Sequence, residues 1–360
     1  MHTKILAMYL PQFYEIEQNN LWWEKGFTEW TNLKRAEALF RGHRQPRIPY
    51  HQNYYCLLDE KELRRQAELA QKYHVYGFCM YHYWFEGIQI MEKPPELLLK
   101  NKDIHIRFCF SWANHTWTKA PGKKDEQILI RQEYGGVEDW KKHFWYLNRF
   151  FKDDRYIKMG NKPVLVLYNA VDIDCWAQMS SCWKQLALEA GWDGLYYIST
   201  LKSGADLGAA ENMGLDAQFE YQPAFGTRRD GCKLDYGFWY HFKYNVLNLR
   251  IHNYVTKFSY EKVWESILKK EYRGGVKTFL GAFNDWDTTA RWGHKGSVCT
   301  GACPELFEHY LKVQISKSKK RDNEFLFVTA WNEWSEGAYL EPDEELGFQY
   351  LEALSKAVMS

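Results

Sequence analysis

FLFVTAWNEWSEGAYLEPD, residues 325–343, opens on four apolar residues and runs into a cluster of Trp, Asn and Glu. Phe325 to Val328 reads as a buried strand, because a short continuous apolar run with β-branched and aromatic members fits a sheet covered on both faces. The residues after it are not those of a turn. Glu333 and Glu336 stand three residues apart, interleaved with Trp331 and Trp334, at the mouth of that strand. In a parallel β/α barrel the catalytic groups come from the C-terminal ends of the strands. The rest of the chain repeats the pattern. Strand candidates fall at 3–10, 75–81, 104–112, 163–168, 195–199, 217–221, 278–283 and 325–331, with helical periodicity between them at 60–73, 139–151, 176–190, 260–272 and 304–316. Eight strands alternating with helices predict parallel β/α units and a closed (β/α)8 TIM barrel. An open doubly wound sheet is the second choice, since no glycine-rich phosphate loop follows any strand. With no repeat, low-complexity tract or linker, residues 1–360 read as a single domain. Two connections, 11–59 and 222–259, are too long for simple turns. Both are rich in aromatics and are expected to wall one end of the barrel.

Composition narrows the partners. The chain has 47 basic and 46 acidic residues, a net charge of +1, which gives no electrostatic case for nucleic acid or an anionic membrane. No apolar run approaches the length of a membrane span. The first residues, MHTKILAMYLPQF, read as a first strand rather than a secretory leader, and the expected location is cytoplasmic. Eight cysteines form no CxxC pair, which favours reduced thiols. The scattered histidines show no HExxH spacing, so neither a metal nor another cofactor is expected. Aromatic residues make up 18% of the chain, with 17 Trp and 25 Tyr. Such rings serve a core, an interface or the flat apolar faces of sugars.

The strand ends decide among these. The first ends in Tyr9-Leu10-Pro11-Gln12, the second in Tyr81-His82-Tyr83-Trp84 and the third in Trp112-Ala113-Asn114-His115-Thr116-Trp117. The sixth ends in Glu220-Tyr221-Gln222, the seventh in Asn284-Asp285-Trp286-Asp287, and the eighth in the opening motif. Taken singly, a tryptophan after a strand is more often packing than platform, a glutamate there is usually solvated, and His82 and His115 read as structural histidines. Convergence of six such ends on one mouth shifts the balance. Two neighbouring buried carboxyls cannot easily both ionise, so one becomes an acid beside a base. Glycoside hydrolysis needs that division. The expected substrate is therefore an oligo- or polysaccharide.

These residues resemble the WbsX family. The resemblance is carried by YLPQF at 9–13, the stretch 22–32 with Glu29 and Trp30, Gly42-His43-x-Gln45-Pro46, and Gly77-Phe78-Cys79 with Tyr81-x-Tyr83-Trp84-Phe85. Trp112-Ala113-Asn114, Trp286-Asp287-x-Thr289-x-Arg291, and the run from Trp331 and Asn332 through Trp334 to Tyr339 and Pro342 complete it. The family is named for glycosyltransferases of surface-polysaccharide gene clusters and is similar to glycoside hydrolase family 99, a (β/α)8 barrel. The resemblance implies Glu333 as base toward the substrate's own 2-hydroxyl and Glu336 as general acid, through a 1,2-anhydro sugar. One departure stands out: family members commonly read Trp-Ala-Asn-Glu, whereas His115 follows Asn114 here.

The expected function is a retaining endo-type glycosidase acting on an α-linked, mannose-like sugar. The candidate sugar contacts are Tyr9, Gln12, Glu29, Trp30, Tyr81, His82, Tyr83, Trp84, Trp112, Asn114, His115, Trp117, Glu220, Trp286, Asp287, Arg291, Trp331, Asn332, Trp334 and Tyr339. A glycosyltransferase is the alternative, weakened by the absence of a convincing DxD motif. A glycan binder that has lost activity is the third reading, opposed by the intact glutamate pair. Oligomeric state is not encoded legibly.

Overall fold

The computed structural model describes residues 3–119, 127–227, 255–270 and 275–360. Eight strands form the barrel: β1 (Lys4–Tyr9), β2 (Val75–Phe85), β3 (Arg107–Trp112), β4 (Lys162–Leu167), β5 (Tyr196–Leu201), β6 (Ala217–Glu220), β7 (Lys277–Phe283) and β8 (Phe325–Thr329). All neighbours run parallel, and β1 pairs with both β2 and β8, so the ring closes. Closure leaves no open edge, and helices cover the outer face, which is why the strands are apolar on both sides. Phe219 and Phe327 stack at 4.2 Å across β6 and β8. Gly281 is required where β7 meets β6, since a Cβ there would lie 1.8 Å from the Glu220 carbonyl oxygen.

The helices α1 (Glu60–Lys72), α2 (Lys93–Lys100), α3 (Val137–Phe151), α4 (Trp176–Glu189), α5 (Ala209–Asn212), α6 (Tyr260–Lys269), α7 (Pro304–Lys320) and α8 (Gln349–Met359) follow the strands in turn. In α1 the buried Leu63, Gln66, Ala67 and Ala70 recur at helical spacing, and the Asp59 side chain accepts from the Lys61 N–H to cap its start. Pro304 begins α7, where its missing N–H is not needed. No helix among the described residues is long and apolar enough to cross a membrane.

The structure shifts some expected boundaries. Strand β2 runs on to Phe85 rather than stopping at Tyr81, because its end folds back as a hairpin on Ile88–Ile90. Strand β8 stops at Thr329, two residues short of the expectation, as the chain turns into a separate hairpin. Residues 10–59 pack over the barrel mouth through two short helices, Glu17–Trp22 and Glu29–Lys34. Most of the second long connection, residues 228–254, lies outside the described residues, as do Cys232 and Tyr272.

Candidate active site

After β8 the chain makes a tight excursion. Asn332–Glu333 pairs antiparallel with Ala338–Tyr339 around a single helical turn, Trp334–Glu336. Gly337 closes the turn at φ +63°, and a Cβ on it would lie 2.7 Å from Asp287 Cβ. Only glycine satisfies both demands. This hairpin brings Glu333 and Glu336 together.

A guanidinium stands between the carboxyls. Arg291, on the helical turn Thr289–Trp292 after β7, donates from Nη1 to Glu336 Oε1 at 2.6 Å and from Nη2 to Glu29 Oε1 at 2.8 Å. Its Nη2 is 3.9 Å from Glu333 Oε2, which finds no hydrogen-bond donor among the described residues. Glu333 is only 5% exposed. Burial, reinforced by the Glu336 charge, pushes the Glu333 carboxyl well above the usual carboxylate range, against the pull of Arg291. Burial raises Glu336 as well, with Arg291 opposing and Glu29 adding to the rise. Burial works against the charge of Arg291, but Glu29, Glu336 and Glu333 overcome it and hold the guanidinium charged. A guanidinium held by two carboxylates is rigid and cannot be neutralised at ordinary pH.

Tyrosines form the wall facing the pair. Tyr81 Oη and Tyr221 Oη are 3.0 Å apart, and the Tyr168 ring packs edge-on against both. Burial, with the acidic groups around them adding to it, raises the hydroxyls of Tyr81, Tyr83 and Tyr221, so these phenols stay protonated as donors. His115 lies 5.8 Å from Tyr168, ring to ring. Burial and the Lys202 charge bring its imidazole down to about 4, leaving it neutral near pH 7. Trp117 packs edge-on against Tyr83. Among the described residues no three His, Cys, Asp or Glu are arranged to hold a metal ion.

The structure thus gathers Glu29, Tyr81, Tyr83 and Arg291 around Glu333 and Glu336, while His115 and Trp117 pack on the tyrosine wall. It adds Tyr168, which sequence reasoning passed over, and Tyr221, named at its strand end but not among the sugar contacts. Gln12 is half-buried, its carbonyl accepting from the Glu29 N–H at 3.2 Å. Trp286 is half-buried, its indole donating to Ser297 Oγ at 3.2 Å.

The other expected sugar contacts have their side chains turned outward or engaged within the protein. His82 and Trp84 alternate with Tyr81 and Tyr83, so they point out toward α3. His82 Nε2 meets His143 Nε2 at 2.8 Å, with burial pushing the His82 imidazole down to about 3. Trp84 stacks flat on His143 at 4.5 Å. Trp112 packs on the same face against His143 and Trp183. Tyr9 likewise points outward, donating to Gln66 Oε1 of α1 at 2.6 Å. Asn114 clamps the backbone of Asn169 through both amide atoms. Asn332 does the same to Leu10, at 2.8 and 3.0 Å, tying the hairpin to the end of β1.

The tryptophans thought to wall the pair are core. Trp331 is fully buried, 5.0 Å from Phe78 ring to ring. Trp334 stacks on Tyr339 at 3.7 Å and donates to Glu341 Oε2 at 2.8 Å. Tyr339 donates to Asp343, and the Trp30 indole donates to the Tyr55 carbonyl. Glu220 faces the outer helices rather than the cleft. Burial pushes it up to about 7 despite the charges of Arg321, Lys317 and Lys270. Asp287 is saturated: it accepts from His43 Nε2, Gln45 Nε2, Thr289 Oγ1 and the Thr289 N–H. Its own N–H donates to the Glu336 carbonyl at 2.6 Å, so it positions the hairpin instead of a sugar.

Comparison with known proteins bears on the family and the fold. The model of the family described as Glycosyltransferase WbsX matches residues 5–354. The curated relatives include two proteins named "Uncharacterized protein WxcX" from strains of Xanthomonas campestris pv. campestris, 28% and 29% identical across 98% of this chain. The chain spans about half the length of these relatives, 49% of each. Among solved structures, a GH99 endo-alpha-mannosidase from Bacteroides thetaiotaomicron is similar at a TM-score of 0.59 and 12% identity, over 99% of this chain and 96% of its own. A glycoside hydrolase-like protein aligns at a TM-score of 0.63 and 11% identity, over 99% and 94%. At such identities the likeness is one of fold. The family match covers nearly the whole chain, and the chain belongs to the WbsX glycosyltransferase family, a group of carbohydrate-active type built here on a closed (β/α)8 barrel.

Proposed function

We propose that the protein is a retaining, endo-acting glycoside hydrolase that cleaves an α-linked, mannose-like sugar bearing a free 2-hydroxyl. The observation that carries this reading is the buried pair Glu333 and Glu336 sharing one guanidinium under a tyrosine wall. In the first step the Glu333 carboxylate takes the proton of the 2-hydroxyl as that oxygen closes on the anomeric carbon. The bond to the leaving oxygen breaks, and Glu336 supplies the proton that oxygen needs. In the second step water attacks the anomeric carbon, Glu336 takes a proton from the water, and Glu333 returns its proton to the 2-oxygen. Each carboxyl ends as it began, and two inversions give retention. Holding the nucleophilic hydroxyl on the substrate itself supplies several kcal/mol of the barrier through positioning. Tyr81, Tyr83 and Tyr221 supply hydroxyl donors for the sugar.

The family's description as a glycosyltransferase supports a second reading, sugar transfer, for which the donor would be a nucleotide sugar and the setting surface-polysaccharide assembly. One experiment separates the two. The protein is incubated with bacterial surface glycans and α-mannosides, with and without nucleotide sugars, and the products are weighed by mass spectrometry. Shortened glycans without nucleotide sugar support hydrolysis. Extension that depends on nucleotide sugar replaces it with the transferase.

A further inference from the structure

Three carboxyls and one guanidinium share this buried space, and a cluster with every carboxyl ionised would hold a net excess of two negative charges. Low polarity and like charge oppose that state and favour a cluster that keeps a proton. Geometry says where. Glu336 accepts a 2.6 Å charge-assisted bond from Arg291, which favours its ionised form. Glu333 has an Oε2 atom without a donor among the described residues and stands 3.9 Å from the guanidinium, which favours its neutral form. The geometry therefore favours the proton on Glu333 and the charge on Glu336. That is the distribution the proposed reaction reaches after its first step. To begin a cycle, one proton must pass from Glu333 to Glu336, and Arg291 resists by stabilising the ionised Glu336.

Glu29 answers that resistance. It reaches in from a helix of the first long loop and takes the other arm of Arg291 at 2.8 Å. We propose that Glu29 is a positioning residue: by dividing the charge of Arg291 between two carboxylates it leaves Glu336 able to accept the proton from Glu333 and act as the acid. Arg291 then stabilises Glu336 as it gives that proton up. This inference rests on the glycosidase reading for its purpose, but not for its test. The groups facing the pair are Glu29 and Arg291 from their helices, Tyr81 and Tyr83 from β2, Tyr168 after β4 and Tyr221 after β6.

The test needs no substrate. Protein labelled with ¹³C at the glutamate carboxyls is titrated by NMR, with Glu333→Gln and Glu336→Gln assigning the two signals. In Glu29→Gln the whole guanidinium charge falls on Glu336, and its proton affinity drops at least about tenfold, one pH unit. An unmoved Glu336 titration overturns the proposal. Should Glu29→Gln not fold, Glu29→Asp, which lengthens the Arg291 contact, carries the same comparison with a smaller shift. On glycosides the same change moves the alkaline limb of kcat/KM toward acid and slows poor leaving groups more than activated ones. A purely structural role would slow both alike and leave the limb in place, which also overturns it. If the wild type hydrolyses nothing, the glycosidase reading fails while the titration still decides the role of Glu29.

Discussion

Replacing Asp287 with Asn removes one charge from the centre of the loop network and leaves the side-chain volume unchanged. The carboxylate accepts from His43 and Gln45 at 2.9 Å each and from Thr289 Oγ1 at 2.5 Å, with Arg47 Nη2 at 3.8 Å. An amide turns one acceptor into a donor facing other donors, and it weakens the hold on the buried Arg47. Breaking a buried ionic network of this kind costs about 3–5 kcal/mol. Spread over the unfolding entropy of a chain this long, that is a fall in Tm of about 4–7 °C. Burial raises Asp287, yet the His43 bond, the Arg47 charge and the Thr289 bonds win and hold it at about 2, against an ordinary 3.8. A depressed carboxyl contributes stability above its unfolded value and loses it as pH falls through the folded one. That part, about 2–3 kcal/mol at pH 7, shrinks by about 1 kcal/mol by pH 3. Urea unfolding of wild type and Asp287→Asn at both pH values measures the gap. A gap below about 1 kcal/mol at pH 7, or one that does not narrow in acid, refutes the reasoning.

The same geometry sets three further outcomes. Glu220, raised to about 7 from an ordinary 4.5, contributes stability below pH 4.5 that is lost as pH rises through 7. Glu220→Gln should therefore gain up to about 3 kcal/mol on the wild type between those values, and a pH-independent difference in urea unfolding contradicts this. Gly337→Ala forces a side chain into φ +63° and into Asp287, so it should lower stability by about 2–4 kcal/mol and displace both glutamates, seen as a lower Tm with lost activity. Glu336→Gln should slow natural glycosides by about 10²–10⁴-fold while sparing substrates with good leaving groups; equal slowing rejects the acid role.

The barrel was legible because its strands are apolar on both faces and its helices carry one apolar stripe, and both are local patterns. The carboxyl pair was legible for the same reason, being three residues apart in one motif. What misled was parity. On β2 the aromatic run is continuous, and only the two-residue alternation assigns Tyr81 and Tyr83 to the cleft and His82 and Trp84 to α3. The same rule puts Tyr221 inside and Glu220 outside, the reverse of the choice made from chemistry alone. Trp331 and Trp334 looked like sugar platforms, yet a hairpin that must hold two carboxyls in place spends its tryptophans on packing. The pairing of Glu29 with Arg291 joins residues 262 apart, and no spacing rule could have named it.

The central claim is that Glu333 acts on the substrate's own 2-hydroxyl while Glu336 serves the leaving oxygen. It is tested most directly with matched α-mannosides differing only at carbon 2, followed by intact-protein mass and peptide mapping. The hydroxyl-bearing substrate should turn over, whereas the 2-deoxy and 2-fluoro compounds should neither turn over nor leave an adduct. A 2-fluoroglycosyl ester trapped on Glu333 would contradict the account and make that residue an ordinary nucleophile.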